Sequence, residues 1–232
     1  SDVYKRQEVV GNDKWAKMAF EAPFLNAHPG RTRERGNAPP LEPVANPEQG
    51  NTLWIDNCAG CHGESGRGDG PAAQWLIPAP TNLAQRDYSD KRIADILWNG
   101  VHGTAMSAWR DQSSENLSSL AAVVRNFGPK QDADGVLPSL IEAGEYVYVT
   151  HCAECHGDNG DGNGFAAKEL PIMPSDFRGE RPTLEESIRI LQNGIEGTSM
   201  APWTDRLTKD EIVAVSHFVR QFFKTDKVTG AD

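Results

Sequence analysis

The sequence predicts an all-α protein built from two tandem copies of one small domain. Three observations point there. Shifting the chain by 94 residues superposes its two halves without a gap over about 60 positions. Apolar residues recur at helical spacing between capping residues, and no segment alternates convincingly as a strand. The segments between helices are rich in glycine and proline and poor in apolar side chains, so each copy needs a further source of core.

The register of the repeat is read from its fixed points. Gly50 falls on Gly144, Cys58 on Cys152, Cys61 on Cys155 and His62 on His156. Gly100, Gly103, Met106 and Trp109 fall on Gly194, Gly197, Met200 and Trp203. One inserted residue then changes the offset to 95, and Val124-Arg125-Asn126-Phe127 matches Val219-Arg220-Gln221-Phe222. Two copies of about 80 residues make a duplication of one globular domain rather than a solenoid.

The expected organisation is an N-terminal extension and Pro-rich linker (1–46), a first domain (47–128), a linker (129–138), and a second domain with a short tail (139–232). The chain opens without Met and without a signal-peptide pattern, and residues 2–7 look like a translated sequencing-adapter junction. On that reading a signal peptide or membrane anchor preceded residue 8; a mature, processed chain is the alternative. Residues 11–35 carry Trp15, Met18, Phe20 and Phe24 at rough helical spacing, then Arg31, Arg33 and Arg35. Four prolines in 37–47 read as a stiff linker.

Within each copy a first helix ends at the cysteine pair. A middle helix occupies 89–99 and 183–193, closed by Gly100 and Gly194. Thr183-x-x-Glu186 and Thr208-x-x-Glu211 read as capping boxes. The last helix places Leu117, Leu120, Val124 and Phe127, and in the second copy Ile212, Val215, Val219 and Phe222, on one face. Glycine- and proline-rich loops fill 66–80 and 160–174.

Charge excludes some functions. Lys+Arg number 23 against 33 Asp+Glu, a formal net charge of -10, so the basic footprint of a nucleic-acid binder is missing. The charge splits as +1 over 1–46, −3 over 47–128 and −8 over 129–232. No apolar stretch approaches the roughly 18 residues needed to span a bilayer. Four cysteines are too few for a disulfide scaffold.

The chemistry lies in Cys58-Ala59-Gly60-Cys61-His62 and Cys152-Ala153-Glu154-Cys155-His156. C-x-x-C-H is the pattern of covalent c-type haem attachment. Two thiols on one helical turn reach both vinyl groups along one porphyrin edge, and the next residue presents its imidazole to the iron. A zinc ribbon needs its two Cys pairs about 15–20 residues apart, far closer than these, and a thioredoxin-like pair needs a βαβ context that is missing. The expected cofactors are therefore two haem c groups, one per domain.

Met106 and Met200 each follow their histidine by 44 residues, inside Gly103-Thr104-Ala105-Met106 and Gly197-Thr198-Ser199-Met200. A thioether as the sixth ligand gives His/Met iron and a raised potential. Most methionines only fill core gaps, but two of four occupy one repeat position in a polar loop. Met173 aligns with Ala79 and Met18 lies outside the repeats; both read as packing residues. His102 is a rival ligand, although its counterpart is Glu196. His151 and His217 read as surface or capping residues, and His28 is undetermined. The predicted ligands are His62 with Met106 and His156 with Met200.

These motifs resemble the class I cytochrome c family, and the chain resembles a dihaem member of it over about 47–224. The resemblance implies that Gly50 with Trp54, and Gly144 with Tyr148, let the first and last helices cross closely. The expected partners are Leu120 or Val123, and Val215 or Phe218. It also implies a backbone carbonyl that orients each proximal histidine, with Gly70-Pro71 the candidate in the first domain and Gly164-Phe165 a departure from the family's proline. Trp109 and Trp203 either pack on the porphyrin, bond a propionate, or are plain core aromatics. The Gly-Thr-x-Met-x-x-Trp loops are similar to those of dihaem subunits of respiratory oxidases and dehydrogenases.

With both axial positions filled, the expected function is single-electron transfer between respiratory redox partners rather than catalysis. A dihaem peroxidase-type enzyme, which needs an open iron, and a haem-based sensor, which needs an output module, are the alternatives. The acidic second domain favours partners with basic docking patches; simple solubility is the other reading of its charge. The resemblance implies a periplasmic location, or one on the periplasmic face of the inner membrane, and a membrane complex reached through a missing N-terminal anchor.

Overall fold

The structure is a computed structural model, and it describes residues 36–42, 46–129 and 136–223. The readings placed on residues 1–35, among them the basic run, Met18 and His28, lie outside the described residues, as does most of the 129–138 linker.

Helix α1 (Pro47–Asn57) starts where Asn46 accepts a hydrogen bond from the Gln49 N–H and Pro47 pre-sets the first turn. Cys58 interrupts it, and the single turn α2 (Ala59–His62) follows. The loop beyond winds through two 3₁₀ turns to strand β1 (Arg86–Tyr88). Ser89 then caps α3 (Asp90–Asn99), and Ser113 caps α4 (Ser114–Phe127). The second repeat runs the same way through α5 (Pro138–His151), α6 (Ala153–His156), β2 (Glu180–Pro182), α7 (Leu184–Asn193) and α8 (Lys209–Val219). The middle helices stop at Gly100 and Gly194, with φ of 66° and 69°, a backbone region that favours glycine.

The two expected capping boxes differ. At Thr208 the box is complete: its hydroxyl accepts from the Glu211 N–H while Glu211 Oε2 accepts from the Thr208 N–H at 2.8 Å. At Thr183 only half forms. Thr183 Oγ1 accepts from the Glu186 N–H, but the Glu186 carboxylate turns to Arg189, at 2.7 and 2.8 Å.

The first and last helices of each repeat cross at a glycine. A Cβ on Gly50 would lie 2.5 Å from the Ser119 carbonyl oxygen, and one on Gly144 2.2 Å from that of Ala214. Val123 and Phe218 flank the crossings as expected, but the closest approach is to backbone rather than to the anticipated side chains. Trp54 and Tyr148 are buried beside them, their rings tilted against Phe127 and Phe222. Each also ties the crossing to the turn after its motif: Trp54 Nε1 donates to the Gly63 carbonyl at 3.2 Å, and Tyr148 Oη to that of Gly157 at 2.7 Å.

The segment expected as a free, stiff linker packs on the first repeat where it is described. Gly36 exchanges hydrogen bonds with the Asn99 side chain, the Glu42 N–H donates to Ser118 Oγ, and Leu41 joins the core.

A feature without a sequence signal joins the repeats. β1 and β2 pair antiparallel, Arg86 opposite Pro182, Asp87 opposite Arg181 and Tyr88 opposite Glu180. Three residues are too few to show an alternating pattern. The pairing obeys a pseudo-two-fold axis. The Ser89 N–H donates to the Gly179 carbonyl, and the Thr183 N–H to that of Gln85, its repeat equivalent. Likewise Gly103 lies against Pro171 and Ile172, and Gly197 against Ile77 and Pro78. Among the described residues no helix is long and apolar enough to cross a membrane.

Candidate functional site

The sequence motifs become two equivalent turns. The N–H groups of Cys61 and His62 both donate to the Cys58 carbonyl, at 3.1 and 2.9 Å, and Cys155 and His156 repeat this on Cys152. Residues three apart on such a turn share a face, so each thiol pair lies along one side with its histidine next to it. All four cysteines are unbridged. Burial, then the neighbouring Cys61, pushes the Cys58 thiol up to about 12; burial and Cys155 do the same to Cys152. Protonated thiols of this kind are neither nucleophiles nor ready thiolate ligands. Among the described residues no group of three or more His, Cys, Asp and Glu side chains is placed to hold a bare metal ion.

Burial lowers the proton affinity of His62 and His156, which favours the neutral imidazole that ligates a metal. A backbone carbonyl acts against this on each ring: Thr81 for His62 and Ser175 for His156, which are repeat equivalents. Nδ1 of both rings is buried and makes no hydrogen bond of full geometry. The carbonyl expected from Gly70-Pro71 makes no hydrogen bond to His62 Nδ1, which has no partner among the described residues. Gly70 instead packs flat on the Ala59 and Gly60 carbonyls and donates its N–H to Cys61. Phe177 stacks on the His156 ring, 4.8 Å between centroids and 18° apart in plane. The first repeat has Leu83 at that position.

The methionine loops are built alike. Thr104 Oγ1 accepts from the Met106 N–H and donates to the Val101 carbonyl, while the Val101 N–H returns to the Met106 carbonyl at 2.9 Å. Thr198, Ile195 and Met200 repeat the set. This is why the threonine recurs: it fixes the backbone of the methionine two residues later. Met106 packs on the core that holds Trp54 and Cys58, and neighbouring Ala105 on the cluster that holds Cys61. Met200 shares its core with Cys152, Phe177 and Trp203. In each repeat the first cysteine of the motif and the methionine pack on one core, and the histidine ring lies beside an aromatic of that core, Trp54 for His62 and Phe177 for His156. His102 lies exposed outside it, with Nδ1 3.4 Å from the Pro171 carbonyl.

The tryptophans close the sites from behind. The N–H groups of Trp109 and Trp203 donate to Leu97 and Leu191 at 2.8 Å, tying each methionine loop to its middle helix. Trp203 Nε1 is buried without a partner. An indole N–H left bare in a core is costly, and it suits a carboxylate acceptor such as a haem propionate. Histidines held toward the neutral form, half-buried unbridged thiols, methionines on braced loops and this unpaired donor all fit haem c.

The chain is 28% identical over 195 residues to the Cbb3-type cytochrome c oxidase subunit FixP of Azorhizobium caulinodans, covering 78% of this chain and 64% of that protein. It is 27% identical over 184 residues to subunit CcoP of Azospirillum brasilense, covering 73% and 60%. This chain therefore spans rather less than two thirds of the length of those relatives. Among solved structures, the Kuenenia stuttgartiensis reducing HAO-like protein complex matches at TM-score 0.38 and 25% identity, over 79% of this chain and 99% of that one. The model of the family described as cytochrome c oxidase, cbb3-type, subunit III matches residues 45–122 and 139–219, one match per repeat, and the chain belongs to that family.

Proposed function

We propose that the chain is a dihaem electron-transfer subunit, with one haem c in each repeat. The observation that carries this reading is the duplicated site: a C-x-x-C-H turn and a hydrogen-bonded methionine loop meeting in one core, twice in one chain. Cys58 and Cys61, and Cys152 and Cys155, are the attachment points. His62 with Met106, and His156 with Met200, would hold the two irons. Bound there, each haem supplies a one-electron Fe(III)/Fe(II) couple. The protein keeps both imidazoles neutral, sets the methionines from the opposite loop, and excludes water with Trp54 or Tyr148 behind the histidine. With an imidazole and a thioether of this chain holding each iron, a substrate would find no place on it, which suits a carrier of electrons.

Residues 47–128 and 139–223 act as the two carrier domains, working on the periplasmic side within a membrane oxidase complex of the kind its relatives' names describe. The negative charge of the second repeat favours a redox partner with a basic docking surface. Maturation of the chain in a host with haem c machinery, followed by a pyridine haemochrome assay and ferric absorption spectra, tests the reading. Two haems per chain with the red-edge band of thioether-ligated ferric iron support it. A chain without covalent haem, or one that turns over peroxide, defeats it.

A further inference from the structure

The pseudo-two-fold axis brings equivalent residues of the two repeats face to face, and at those positions the charges are reversed. Arg86, Asp87, Lys91, Arg92 and Asp95 correspond to Glu180, Arg181, Glu185, Glu186 and Arg189. Two identical domains on this axis would set Asp87 against its own copy. Here Arg181 meets Asp87 at 2.7 Å instead. Beside them the buried Glu180 carboxylate takes Arg86 Nη1 on one oxygen at 2.8 Å and Arg92 Nη2 on the other at 3.0 Å, both from the first repeat. The interface is therefore one that only unlike domains complete.

This cluster also reaches the second haem-binding core. Arg86 Nη1 lies 3.5 Å from Ser175 Oγ. Ser175 lies two residues before Phe177, whose ring stacks on His156 with 4.8 Å between centroids. We propose that Glu180 is a positioning residue: it locks the first domain onto the second, and through Arg86, Ser175 and His156 it makes the potential of the second haem depend on that lock. An anion near the iron stabilises Fe(III) and lowers the potential, and guanidiniums supplied by the other domain offset it. The inference rests on the dihaem reading above.

Spectroelectrochemical titration of the full-length holoprotein tests it, with the second-domain wave identified as the one that Met200→His displaces. Glu180→Gln removes the anion and keeps the shape, so the second haem should shift upward. Arg92→Gln leaves the anion less neutralised, so the same haem should shift downward, and Arg92→Lys should restore it. The first haem should move less in each case. Opposite shifts at one haem are a signature that mere loosening of the interface does not give. If Glu180→Gln fails to fold, the Arg92 pair carries the test alone. Potentials unchanged in the variants, or both haems moving alike, overturn the proposal. Failure to see two haem waves at all would instead defeat the dihaem reading.

Discussion

Met106 and Met200 carry the sharpest consequences of any single residues. Replacing Met106 with Ala removes one thioether but leaves the Thr104 bracket, which acts on backbone. One haem of two should then bind carbon monoxide, lose its red-edge ferric band and titrate at a lower potential; ferrous difference spectra and a redox titration check this. Gly144→Ala should destabilise the second domain by about 1–3 kcal/mol, because the added methyl meets backbone that cannot rotate away; thermal melts of the holoprotein measure it. The proposed ligand set was legible because its side chains are chemically rare and their spacing recurs. Thr81 and Ser175 were not, because they act through carbonyls that every residue has. Trp203 was legible only as a question, and its bare Nε1 is visible only once burial is known.

At the scale of elements, helix ends were readable and their pairing was not. Thr208 forms its full box, and Thr208→Ala should cost about 1 kcal/mol of stability, seen as an earlier unfolding of α8 by hydrogen exchange. The same pattern at Thr183 half-fails because Arg189, one turn on, competes for Glu186. The β1–β2 pairing escaped notice since three residues carry no period, although the sign reversal between repeats was there to be compared. The pairing is sensitive to acid. Burial alone would raise the Glu180 carboxyl, but Arg92 and Arg86 outweigh it and hold it down at about 2, against 4.5 when free. A depressed carboxylate stabilises above its unfolded value and loses that contribution as pH falls through its folded one. The interface should thus hold above about pH 4.5 and open progressively toward pH 2, measured as an increase in the radius of gyration by small-angle scattering.

The whole molecule is two copies of one idea, made unlike where they touch. In the first repeat the loop after the motif buries little, with Ala72 and Leu76 the buried members of a small cluster on which Cys61 and Ala105 pack. Haem bound in the proposed sites would complete the core, so the apo chain should show markedly less helix by circular dichroism and a lower melting temperature than the holoprotein. Docking of a basic redox partner onto the acidic second repeat should weaken as salt rises, chiefly through slower association; stopped-flow rates across a salt series report it. The duplication and the helices could be read from residues alone, whereas the arrangement of the two copies came only from their contacts. The account stands or falls on the number of haems and their ligands. The deciding measurement is the mass of the matured chain together with its ferric spectrum: covalent addition of two haems, each with a thioether-to-iron band, is the result it predicts, and a chain carrying one haem, none, or haems without that band contradicts it.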